Sequence, residues 1–141
     1  MEKTDWLKVI SAAVGGFFSW MVDGFGLPFT ILCGFMLADY VTGVMVGWRS
    51  GDGLSSKVGF IGLLKKVYII ILLGAIQGLD MAVLNTNGFI YDGAAIAFIV
   101  NEFISITENG GKLGVWMPEP VKKVIRVLKE KDEDQGGGKS A

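Results

Sequence analysis

The chain is predicted to be all-α and integral to a membrane. About four transmembrane helices would have both ends on the cytoplasmic side (N-in, C-in), followed by a short amphipathic helix. Three observations predict this. First, 51% of the 141 residues are hydrophobic and the mean hydropathy is +0.50, too high for a water-soluble domain of this size. Second, the stretch from Leu27 to Trp48 contains no basic residue. As a helix rising about 1.5 Å per residue it matches a hydrocarbon core of roughly 30 Å. Third, the 13 basic residues fall in three groups: Lys3 and Lys8; Arg49, Lys57, Lys65 and Lys66; and Lys112 onward. Cytoplasmic loops retain Lys and Arg, so each basic-free stretch between these groups requires an even number of crossings. The expected organisation is a transmembrane domain over 1–111, a basic amphipathic helix over 112–131 and a disordered tail over 132–141.

The first helix is expected over about 7–22. Ser11, Gly15, Ser19 and Asp23 recur every fourth residue as a small, polar row, while Leu7, Val14, Phe17, Phe18 and Met21 occupy other faces. An amphipathic helix lying in the interface is the competing reading of this segment. Asp23 to Gly26 makes a turn, and Pro28 suits the first turn of a second helix over 28–48. There Gly34, Ala38 and Thr42 share one row and Asp39, Gly43 and Gly47 the next, a spacing that lets helices approach closely. Asp39 sits near mid-span, where an acid is costly and marks a functional site by default.

Arg49 to Lys66 reads as a Gly- and Ser-rich basic loop that anchors topology on an anionic leaflet. It lacks the phosphate-cradling GxxxxGK[ST] pattern. A third helix is expected over 67–84, with a Gly74/Gly78 pair and the polar Gln77 and Asp80, the latter near the outer interface. Asn85 to Gly88 has turn chemistry. The fourth helix, over 89–107, carries Asn101, Glu102, Ser105 and Glu108 at helical spacing in its inner half. No Lys or Arg falls within any expected span to neutralise these acids. Glu102 is therefore either protonated or turned toward water or the donors of neighbouring helices. Beyond Pro118 and Pro120, the residues Val121, Val124, Ile125 and Leu128 form an apolar stripe among Lys122, Lys123, Arg126 and Lys129. Such a helix suits the surface of the cytoplasmic leaflet or a partner helix.

The chain has no histidine and one cysteine, Cys33, which removes the Ser-His and Cys-His nucleophile pairs and argues against a zinc site. No catalytic residue, metal or cofactor is expected, and a net charge of −1 gives no basis for nucleic-acid binding. The acids instead suit polar faces that line a passage or meet other copies. The candidates are Asp39, Thr42, Gly43, Gln77, Asp80, Asn101, Glu102 and Ser105, with Lys57, Lys65, Lys66, Lys122, Lys123 and Arg126 as topology or regulatory residues.

Three segments resemble the phage-lysis and toxin-secretion holin family. They are Asp39-Tyr40-Val41-Thr42-Gly43; Ser55-Ser56-Lys57 through Gly59 to Lys65-Lys66; and Asn101 to Asn109 leading to Gly114 and Pro118. The resemblance covers roughly residues 25–131. It implies a homo-oligomer in the bacterial cytoplasmic membrane, in contact with its lipids. Such an assembly opens holes at a set time, so that an endolysin or a secreted toxin reaches the wall. A small ion or solute channel or transporter, and a non-conducting scaffold that recruits a partner, are the alternatives.

Overall fold

The computed structural model describes residues 3–51 and 56–136, and among them every regular element is helical. In order these are α1 (Lys3–Phe25), α2 (Leu27–Arg49), α3 (Ser56–Leu79, continued by a π-helical turn over Asp80–Leu84), α4 (Phe89–Lys112) and α5 (Glu119–Gly136). α2 and α4 share the most extensive contact, and α3 lies against them along a shorter seam.

The core is small and built from three inward stripes. α2 contributes Phe29, Leu32 and Met36; α3 contributes Leu73; α4 contributes Tyr91 and Ala95. Leu32, Leu73 and Ala95 are fully buried. Most other large apolar side chains, among them Trp48, Phe60, Ile71, Met81 and Phe89, stand exposed. A water-soluble monomer does not spread so much apolar surface; a bilayer accommodates it.

Three helical stretches are long and apolar enough to cross a membrane: Leu27–Arg49, Gly59–Leu84 and Phe89–Lys112. α1, the fourth expected span, is not among them. Its charged first turns and its row of Ser11, Gly15 and Ser19 dilute its hydropathy. α1 reaches the bundle through its C-terminal end. Gly26, at φ 84°, permits the sharp turn into α2. Phe25 packs on Phe29 (centroids 5.1 Å apart), which stacks at 6.5 Å on Tyr91. The Tyr91 hydroxyl donates to the Phe25 carbonyl at 3.3 Å.

Other bounds differ from expectation as well, among them the end of α4, which runs on to Lys112 rather than to about 107. α3 begins at Ser56 rather than near Val67, so most of the expected basic loop is the first turns of a helix. Gly59 and Gly62 are tolerated there because a membrane helix has no water competing for its backbone. α5 runs on through Gly136, so 132–136 of the expected tail are helical, and the remainder, 137–141, lies outside the described residues.

Candidate functional site: a buried ion cluster between three helices

The inward stripes that make the core continue toward the end of the bundle where the basic residues gather, and there they turn polar. On α2 the stripe Leu32, Met36 is followed by Asp39 and Gly43; on α3, Leu73 is preceded one heptad earlier by Lys66; on α4, Tyr91 and Ala95 lead to Glu102 and then Asn109. Helical spacing therefore delivers two acids, one lysine and one amide to the same seam.

The Lys66 ammonium joins them. Its Nζ donates to Asp39 Oδ2 at 2.9 Å and also to Glu102 Oε2. The three side chains are 13%, 16% and 5% exposed, respectively for Lys66, Asp39 and Glu102, so this is a buried triad rather than a surface pair. Asn109 Nδ2 completes it, donating to Asp39 Oδ1 and Thr42 Oγ1, both at 3.1 Å. Thr42 in turn donates back to the Ala38 carbonyl at 2.9 Å. Gly43 lies alongside: a side chain there would come within 3.8 Å of the Asn109 amide. Counting from the ends of the apolar stretches at Arg49, Gly59 and Lys112, the cluster sits about 10–15 Å deep. One cation faces two carboxylates, so the fully ionised cluster carries one excess negative charge, and a single added proton makes it neutral.

This corrects the expectation that no cation reaches the acids. The expected loop ends at Lys66, but the early start of α3 places that residue inside the span. Its neighbour Lys65 is exposed on another face of the helix. Asn109 is the site residue that the residue-type argument missed. Its signal was its position seven residues after Glu102, on the same face.

The other candidates lie outside the cluster's hydrogen bonds. Asp80, expected to be a cheap acid at the interface, is 2% exposed. It accepts hydrogen bonds from Thr86 N (2.9 Å), Gly88 N (2.7 Å) and the Thr86 hydroxyl. It thus ties the π turn to the α3–α4 connection, where Asn85 and Asn87 take the left-handed conformation that Asn tolerates. Gln77 lies near that end, beside a cavity of about 260 Å³ also lined by Asn87, Tyr91 and Asp92. Ser105 is half-buried and Asn101 exposed on α4. Among the described residues nothing packs on Gly74 or Gly78. Lys122, Lys123 and Arg126 are exposed on α5, whereas the Lys57 side chain is outside the described set. α5 is tied to α4 by Lys129, whose Nζ donates to Glu108 Oε1 at 2.6 Å, and Arg49 donates to the Leu113 carbonyl beside the turn between them.

Among the described residues no group of His, Cys, Asp or Glu could hold a metal ion. The cluster offers no activated nucleophile; what it can do is hold α3 against α2 and α4 and store wettable groups out of contact with lipid. Fold and site together define a helical membrane protein with a stored ionic seam.

The chain belongs to the bacteriophage holin family, whose model matches residues 16–130, and it is a holin-type membrane protein. An uncharacterised protein of Listeria innocua is 33% identical over 92% of this chain and 91% of its own. Another, from Halalkalibacterium halodurans, is 32% identical over 87% and 93%. A probable holin of Bacillus phage phi105 is 28% identical over 70% and 71%. No solved structure matches the chain.

Proposed function

We propose that the protein accumulates in the bacterial cytoplasmic membrane, oligomerises there and opens holes that time lysis by passing an endolysin or a secreted toxin. The basic ends of α2, α3 and α4 would face the cytoplasm under the positive-inside rule. The observation that carries this reading is the Asp39–Lys66–Glu102 seam between helices whose outer faces are apolar. In the closed protein Lys66 bonds both carboxylates, and the membrane stays sealed. If α3 separates from the α2–α4 pair, the same groups become the wet wall of a passage shared by several copies.

The interior argues against the transporter alternative. Beyond the ion cluster, Leu32, Leu73 and Ala95 fill the centre of the single chain, so a path through one protomer meets packed hydrocarbon. Controlled expression in bacteria with a cytoplasmic wall hydrolase tests the proposal. Abrupt depolarisation with release of the hydrolase is the expected result. Movement of small solutes alone would favour a channel or transporter, and movement of nothing would favour a scaffold.

A further inference from the structure

The adjacent lysines of α3 diverge: Lys66 turns into the ion cluster, while Lys65 lies at a furrow on the lipid-facing side. The furrow, about 520 Å³, is formed by Ile61, Leu64, Tyr68 and Leu72 along one stripe of α3, with Phe98 of α4 as its far wall. Its lining is almost wholly apolar, the flanks of Lys65 and Tyr68 included. Lys65 has no carboxylate partner among the described residues, unlike Lys66, Lys122 and Lys129. An ammonium about 9 Å along the apolar stretch from Gly59 is on a stem long enough to extend back to the interface, where anionic headgroups lie. From Ile61 to Leu72 the furrow extends about 16 Å, close to half of a hydrocarbon core of roughly 30 Å.

We propose that this furrow is a binding site for one anionic phospholipid of the leaflet at the basic end. An acyl chain lies along Ile61 to Leu72 against Phe98, and the headgroup phosphate pairs with Lys65. Basic sites between transmembrane helices on that side are suited to anionic headgroups. The inference rests on the membrane reading of the chain and not on hole formation, and its test reads lipid retention rather than lysis.

Full-length protein extracted in mild detergent is mixed with equal amounts of phosphatidylglycerol and phosphatidylcholine and examined by native mass spectrometry. Wild type is expected to retain one phosphatidylglycerol per chain, at least about fivefold over phosphatidylcholine. K65Q should abolish that preference, and Leu72→Trp, which fills the furrow, should lower retention of both lipids. Lys8→Gln, on α1 and paired with Asp5, should change nothing. Equal retention of the two lipids by wild type, or an unchanged preference in K65Q, overturns the proposal. So does efficient cross-linking between copies through Leu64→Cys in a Cys33→Ala background, because a second chain would then occupy the furrow.

Discussion

Replacing Lys66 by methionine should unlock α3. The substitution keeps a long flexible side chain and removes the one cation between Asp39 and Glu102, which both bond the same Nζ and are therefore near neighbours. At 2.9 Å and an effective dielectric constant of about 20, the Lys66–Asp39 attraction amounts to about 6 kcal/mol before desolvation is subtracted. Desolvation consumes most of that in the intact cluster. Breaking a buried pair while leaving its partners charged nonetheless costs about 3–5 kcal/mol, which shifts the docking of α3 by roughly 10²- to 10⁴-fold. α3 has little else to hold it: Leu73 is its one fully buried apolar side chain among the described residues. K66M should thus lyse cells early at wild-type membrane levels, as followed by culture turbidity and immunoblot. Combining K66M with Asp39→Asn and Glu102→Gln removes every charge from the seam and should return the delay toward wild type. Lysis by K66M at the wild-type time, or no later lysis by the triple variant, would refute the reasoning.

Asp39→Asn alone leaves the Lys66–Glu102 pair neutral and keeps an oxygen facing Asn109; it should insert normally and shift lysis timing less than K66M does, as read in the same turbidity assay. Asp80→Ala strands the Thr86 and Gly88 amides, so hydrogen exchange at those two positions should accelerate roughly tenfold or more, with no change at Asp39; unchanged exchange would show that the turn does not depend on the carboxylate. The Lys129–Glu108 pair is about half exposed and worth under about 1 kcal/mol. Lys129→Gln should accordingly leave timing nearly unchanged, whereas deletion of 122–141 should shift it if the basic helix regulates lysis. On α5, the Lys122 ammonium bonded to Glu119 at 2.8 Å holds that carboxyl below the usual carboxylate range. The stabilisation this pairing gives the first turn is full above the ordinary carboxylate pKa and lost as pH falls through the lowered one. Carboxyl NMR titration should show the low midpoint, and Lys122→Ala should raise it.

Apolar run length and the positions of the prolines and Gly26 made the order of the helices legible in the sequence, because span length is set by bilayer thickness and these residues punctuate backbone geometry. Asp39 and Glu102 were legible as costly groups in oily helices, and Thr42 as part of a small-residue row. Their partner was hidden by composition: the Gly and Ser of 49–62 look like a loop in water, yet the apolar stretch already begins at Gly59. Once α3 is allowed to start there, Lys66 falls one heptad before Leu73 and faces the acids. Asp80 shows the complementary failure. A one-residue argument placed it at a cheap interface, but its burial depends on donors supplied by Thr86 and Gly88 across a turn, which no helical periodicity encodes. α1 was ambiguous in sequence because its small polar row serves equally a helix packed in the bundle or one lying at the surface.

Water access to the seam tests the central claim most directly. Ser105→Cys, in a Cys33→Ala background, places a thiol one turn from Glu102 on α4 at little structural cost, and Ile71→Cys on the exposed face of α3 serves as the lipid-facing control. Labelling with a membrane-impermeant thiol reagent is compared before and after an energy poison triggers the cells. The account predicts a Ser105→Cys thiol that is silent before triggering and reactive once holes open, with Ile71→Cys unreactive throughout. Reactivity before triggering, or silence after lysis has begun, would contradict it.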